Sequence, residues 1–292
     1  MASRTRERYA PRTGRSCGST VSTRGGRAVR SVVLALLLTV TITPPLSGQS
    51  PSLFVTDPGA LFDTGDAVVL LGLVALHAAF LPVDGEVHGG IQDMRSGATD
   101  ALAAVVEPMG RSALWFEASA TSYVIGKILG EERVADVGLH LFLSLGLSNA
   151  ISVGLKDLSG RARPCWGDGL DPDPNSWSLY GGASDAGRRS YPSNHATSAF
   201  TVAAVLSEEL GGATPWIAYP VAGLVAWSRV HDNAHWASDV TLGAAVGIFS
   251  ARLMVRHGHS VLGGLEESLL VESDADGESV RLGLQLELGG GR

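Results

Sequence analysis

The sequence predicts an all-α protein: a helical bundle of about six core helices, followed by a short C-terminal β-hairpin tail. Three observations predict it. Long apolar runs of helical length alternate with short polar breaks. One long stretch, residues 157–192, is rich in Gly, Pro, Asp, Arg and Trp and has no periodicity. Strict alternation occurs at the end of the chain, in VRLGLQLEL (280–288), with Val280, Leu282, Leu284, Leu286 and Leu288 on one side.

Taken in order, the chain opens with eight arginines and a single acid, Glu7, before residue 31. SVVLALLLTVTI (31–42) and PPLSGQS follow. An Arg-rich start, an apolar stretch and a small-residue exit make residues 1–48 an export signal peptide or an N-terminal anchor. Residues 49–66 read as a linker. AVVLLGLVALHAAFLP (67–82) is an apolar helix stopped by Pro82. Residues 83–110 are polar-amphipathic, at loosely helical spacing. Residues 113–130 and 134–156 are two long helices joined by a short acidic turn, and three more fall near 194–210, 215–230 and 236–256. The bundle domain thus spans 67–258. Residues 259–292 form a tail, in which SLLVE (268–272) pairs with 280–288 across SDADGES as a hairpin. A structureless stretch as long as 157–192 inside a compact domain is usually functional.

Composition narrows the function. The chain is 45% hydrophobic and 17% charged, with a mean hydropathy of +0.18. Removing the eight early arginines from 22 basic residues, and Glu7 from 29 acids, leaves 14 against 28. Such a body does not suit nucleic acid, so any anion site must be a local basic pocket. The only lysines are Lys127 and Lys156. Cys165 is the only cysteine beyond the leading segment, so it is expected to pack rather than to bridge.

Three charged stretches stand at predicted helix ends. KDLSGRARP (156–164) closes a helix at Lys156 and sets Arg163 before Pro164. In SYPSNHATSAF (190–200), Ser193 or Asn194 can cap a helix whose first N–H groups are free for an anion. SRVHDNAHWASD (228–239) joins two apolar helices. Alone, it offers a metal site: His231, His235 and Asp239 at i, i+4 and i+8 share one helical face. Yet a metal gains nothing from Arg229, Arg163 and Lys156 converging on it. Three cations, a helix N-terminus and two histidines instead describe a phosphate cradle. Unpaired burial of such groups costs several kcal/mol each, so they must meet partners.

Together these stretches match K-x6-RP, PSxH and SR-x5-H-x3-D: Lys156 with Arg163-Pro164; Pro192-Ser193-Asn194-His195; and Ser228-Arg229, His235 and Asp239. The sequence resembles the type 2 phosphatidic acid phosphatase (PAP2) superfamily, which also holds vanadium haloperoxidases, over roughly residues 67–256. One departure is Asn194, where the family usually has Gly. Asn tolerates unusual backbone angles best after Gly, so the turn is expected to survive while the side chain narrows the pocket.

The resemblance implies a phosphatase of lipid or small soluble phosphate monoesters, or of isoprenyl diphosphates, without metal or other cofactor. His235 attacks phosphorus to form a phosphohistidine, Asp239 holds its ring, and His195 protonates the leaving alcohol and then activates water. Lys156, Arg163 and Arg229 bind the phosphoryl oxygens with the N–H groups of Ser193 and Asn194. His231 and Asp232 are not family positions; His77, His88, His140, His257 and His259 read as structural. The site is expected to face outside the cytoplasm in the cell envelope, in a membrane-associated or periplasmic protein. The near absence of charge in 215–230 favours the membrane. Counting 31–46, 67–82, 113–130 and 134–155 as crossings nevertheless leaves Lys156 inside, unless one of them does not span. The alternatives are a vanadate-dependent haloperoxidase and a non-catalytic envelope binding protein.

Overall fold

The computed structural model describes residues 64–165, 173–273 and 280–284. The leading segment 1–48 and most of the linker lie outside them. The chain divides into two units, one ending at Val255 and the other beginning at Arg256.

Among the described residues of the first unit, all regular structure is helical. Helix α1 (Thr64–Phe80) ends in the 3-10 turn Leu81–Val83, which carries Pro82. The amphipathic stretch resolves into two short helices, α2 (Asp84–Asp93) and α3 (Gly97–Val106). Ser96 caps α3 in a reciprocal box with Thr99. A second 3-10 turn, Glu107–Gly110, leads into α4 (Ser112–Leu129). α5 (Glu132–Ser159) follows after Gly130 and Glu131 alone, so α4 and α5 are antiparallel neighbours. α6 (Asn194–Leu210), α7 (Thr214–His231) and α8 (Ala237–Ser268) complete the set.

Hydrogen bonds fix the register of α5 against α6. Ser152 meets Thr197 at 3.1 Å and Thr201 donates to Ser148 at 3.1 Å, while His140 meets Glu209 at 2.6 Å toward the other end. The two helices are therefore antiparallel, and Ser148, Ser152, Thr197 and Thr201, buried between them, find partners across the seam. The apolar core joins Trp115, Leu141, Leu145, Val202, Val205 and Ile248. α8 lies close on α6 because of two glycines four residues apart. A Cβ at Gly243 would come 2.7 Å from the Ser193 carbonyl oxygen, and one at Gly247 2.5 Å from that of Thr197. This close approach carries Asp239, one turn before Gly243, to the N-terminus of α6. α5, α6, α7 and α8 thus bring one end each to the 160–193 segment, which contains short 3-10 turns at Gly181–Ala183 and Ala186–Arg188.

Among the described residues, three helical segments are long and apolar enough to cross a membrane: Ala67–Asp93, Glu132–Ser159 and Ala237–Gly258. Only 6% of the most apolar window of the first is buried, and Leu71 there is 69% exposed. An apolar helix face that meets no protein suits hydrocarbon rather than water. The ground given by the sequence, the nearly uncharged 215–230, is not the one that holds. Arg229, His231, two prolines and a tyrosine leave that helix less apolar, and it is not among the three, nor is Ser112–Leu129.

In the second unit, β1 (Leu269–Ser273) and β2 (Val280–Leu284) pair antiparallel, with Val271 opposite Leu282. The alternating residues Leu286 and Leu288 lie outside the described residues.

Candidate active site

Asp239, near the start of α8, is fully buried and accepts hydrogen bonds from Arg161 Nη1 (2.6 Å), Ser190 Oγ (2.5 Å) and the Trp236 backbone N–H (2.9 Å). His235 lies in the turn before α8, with its Nδ1 3.6 Å from the same carboxylate and 2.7 Å from the Ser190 carbonyl oxygen. A carbonyl only accepts, so Nδ1 carries the hydrogen and Nε2 carries the lone pair. Burial pushes the His235 imidazole down to about 3; Asp239 opposes this, while the positive charges of Lys156 and Arg163 reinforce it. The ring is neutral at physiological pH, as a nitrogen nucleophile must be.

Around it stand the cations. Lys156, in the last turn of α5, is buried and donates to the carbonyl oxygens of Arg189 (2.8 Å) and Pro192. An ammonium has three hydrogens, so one is left over. Arg163 feels Asp239, Arg229 and Arg189 at once, and its buried Nε has no hydrogen-bond partner. Arg229, in the last turn of α7, pairs with Asp232 and lies 3.6 Å from Glu107. Ser193 is the N-cap of α6; its backbone N–H donates to the Asp239 carbonyl at 3.0 Å, so, contrary to expectation, that N–H is not free for a phosphoryl oxygen. Asn194 is the first helical residue and has no positive φ, so the position demands no special backbone. Its buried Oδ1 has no hydrogen-bond partner. His195 follows on the first turn of α6, with its Nε2 3.0 Å from Glu107. Lys156, Arg163, Ser193, Asn194, His195, Arg229, His235 and Asp239 therefore meet at one end of the bundle.

Two further expectations are corrected. His231, His235 and Asp239 do not share a helical face. α7 ends at His231, and Asn233, at φ 63°, turns the chain before α8 begins. His231 instead meets Asp100 (3.3 Å) and Thr99 (3.3 Å), and Asp232 binds Arg229. Cys165 is disulfide-bonded rather than simply packed; the count of one thiol beyond the leading segment excluded this too readily.

Sequence reasoning missed Arg161, Asp84, Ser190 and Glu107. Arg161 is 1% exposed and bridges Asp239 to Asp84, donating 2.7 Å to Asp84 Oδ2 from Nη2. Its guanidinium lies 4.6 Å from the Trp177 ring centroid. A second arginine two residues before Arg163 was the available signal. Asp84 and Glu107 each lie beside a proline break, at Pro82 and Pro108. That mark is weak, because acids commonly begin helices.

Residues 137–260 match the model of the PAP2 superfamily, which is the class that the three motifs indicated. Among relatives, the lipid A 1-phosphatase of Porphyromonas gingivalis is 38% identical over 110 residues, 32% of this chain and 24% of that protein. The match thus spans about a quarter of the relative's length. Two solved structures are similar. Aquifex aeolicus LpxE is 24% identical over 57% of this chain and 90% of that chain, with a TM-score of 0.44. The first transmembrane PAP2 type phosphatidylglycerolphosphate phosphatase from Bacillus subtilis is 19% identical over 68% and 96%, with a TM-score of 0.49.

Proposed function

We propose that the protein is a membrane-associated phosphatase of lipid phosphate monoesters, acting through a phosphohistidine without a metal. The observation that carries this reading is the fixed tautomer of His235, whose lone pair at Nε2 is held within a ring of cations. In the first step Nε2 forms a bond to phosphorus as the bond to the leaving oxygen breaks, and His195 delivers the proton that oxygen needs. In the second step His195 takes a proton from water, whose oxygen attacks phosphorus and returns His235. Lys156, Arg163, Arg229 and the N–H groups at the start of α6 hold the three phosphoryl oxygens and offset the charge that develops on them. Asp239 offsets the positive charge that His235 acquires as it is phosphorylated. Cations replace any need for a Lewis acid. A lipid substrate is supported by the apolar helices that run to the site end, and by the relative named as a lipid A 1-phosphatase. We place the site outside the cytoplasm, as the family resemblance implies.

The test is a substrate panel on the full chain in mixed micelles: phosphatidic acid, lipid A, an isoprenyl diphosphate, p-nitrophenyl phosphate and a sugar phosphate. Release of phosphate from a lipid, undiminished by excess EDTA and abolished by His235→Ala, is expected. Undiminished turnover by His235→Ala would end the nucleophile assignment, and turnover of the sugar phosphate alone would end the lipid one.

A further inference from the structure

The motifs account for one carboxylate–imidazole pair, Asp239 with His235. A second such pair stands at the same site, His195 with Glu107, and its acid belongs to none of the motifs. Glu107 opens the 3-10 turn before α4 and is 6% exposed. It meets three cationic groups: His195 Nε2 at 3.0 Å, Arg111 Nη2 at 3.0 Å and Arg229 Nη1 at 3.6 Å. Burial alone would raise its carboxyl, but the hydrogen bond from His195 and the charges of His195, Arg229 and Arg111 bring it down to about 2. It is ionised and can only accept, so the hydrogen lies on His195 Nε2, and Nδ1 is the nitrogen left to exchange a proton.

The turn is built to reach this histidine. A Cβ at Gly110 would lie 2.7 Å from His195 Cβ, 2.8 Å from Val225 Cγ1 and 2.9 Å from His195 Cδ2. Only a residue without a side chain lets the turn lie flush against the ring. Trp115 Nε1 then donates to the Met109 carbonyl at 2.5 Å and fixes the turn from the other side.

We propose that Glu107 is the positioning carboxylate of His195: it fixes the ring through Nε2 and sustains the imidazolium that protonates the leaving alcohol from Nδ1. The charged groups facing His195 are Glu107 and Arg111 from the turn and the start of α4, and Arg229 from α7, with Asp232 behind it. Burial lowers the basicity of His195, Glu107 restores part of it, and Arg229 and Arg111 oppose that. Arg229 therefore presents a cation to the phosphate while Glu107 keeps it from discharging the neighbouring acid.

This rests on the phosphatase reading, and the experiment separates the two. Full-length wild type and Glu107→Gln are compared as kcat/KM, which reports the first phosphoryl transfer, on an alkyl phosphate (phosphatidic acid in micelles) and on p-nitrophenyl phosphate. An alkoxide must be protonated as it leaves; nitrophenolate need not be. The glutamine oxygen still accepts from Nε2 but carries no charge. The alkyl ester is expected to lose ~10²-fold, within the usual range for general acid catalysis. The nitrophenyl ester should change only a few-fold, and the basic limb of the pH profile should move to lower pH. Equal losses on both esters with an unmoved limb would overturn the proposal. Should the glutamine variant lose both through misfolding, Glu107→Asp decides: recovery of the alkyl ester by the restored charge sustains it, and no recovery overturns it. Failure of wild type on both esters would instead defeat the phosphatase reading itself.

Discussion

Asp239 is surrounded by donors: a guanidinium, a hydroxyl and a backbone amide. A carboxylate so satisfied cannot swing, and it transmits that rigidity to His235. Arg161 is the centre of the arrangement, because it is buried against two carboxylates. Removing one partner from such a group costs about 3–5 kcal/mol. Asp84→Ala should therefore lower the thermal midpoint markedly and, with Asp239 loosened, reduce turnover as well; melting followed by circular dichroism checks the first. His235 gives a separate pH signature. Its pKa is depressed to about 3 in the fold, against the ordinary 6.5, so the unfolded chain binds the extra proton between those values. Its contribution to stability is complete above about 6.5 and falls as pH drops toward 3, by up to about 1.4 kcal/mol per pH unit. Urea midpoints at pH 8 and pH 5 should differ more in wild type than in His235→Gln. At this scale the motif residues were legible in the sequence, since each type carries its own chemistry. Glu107 and Asp84 were not, because an acid beside a proline reads equally well as an ordinary helix start.

Elements place those residues through close contacts that composition hints at but does not locate. The serines and threonines of α5 and α6 look like helix-neutral filler in the sequence. In the fold they are a paired seam, Ser148 with Thr201 and Ser152 with Thr197. The glycines of α8 look like flaws in an apolar run, yet they are where α6 lies against it. Gly247→Val would drive a side chain into the backbone of α6, where nothing flexible can yield. Overpacking of this kind costs about 1–3 kcal/mol or more, and it should pull Asp239 from the start of α6. Loss of thermal midpoint and loss of phosphate release should therefore appear together; an active, unshifted variant would contradict the packing argument. Most helix ends came out within a few residues of their sequence estimates, because Pro, Gly and capping residues mark them; the exception is the end of α8, which runs to Ser268 rather than 256. The break between α7 and α8 came out where expected, although what makes it was not legible. Its turn is made by Asn233 against His88, a tertiary contact with no local signature.

At the scale of the whole molecule, apolar helices flank a polar end. The bundle was legible from periodicity alone; its relation to lipid was not, because half-buried and lipid-facing helices share one composition. Exposure separates them, as the bare face of α1 shows. The full chain should sediment with membranes and resist alkaline carbonate; release by carbonate would contradict membrane crossing. Trp216, at the start of α7 and 83% exposed, lies toward the end of the bundle opposite the site. Amphipathic rings favour the headgroup level.

The bridge made by Arg161 reaches across the chain, from the loop after α5 to the first residue of α2 and on to the start of α8. Three stretches far apart in sequence thus close with one side chain. A partly folded chain holding only two of them would leave a charge stranded in oil, so intermediates should be sparse. Catalysis is then a witness to completeness: as denaturant rises, turnover and helicity should fade at one concentration.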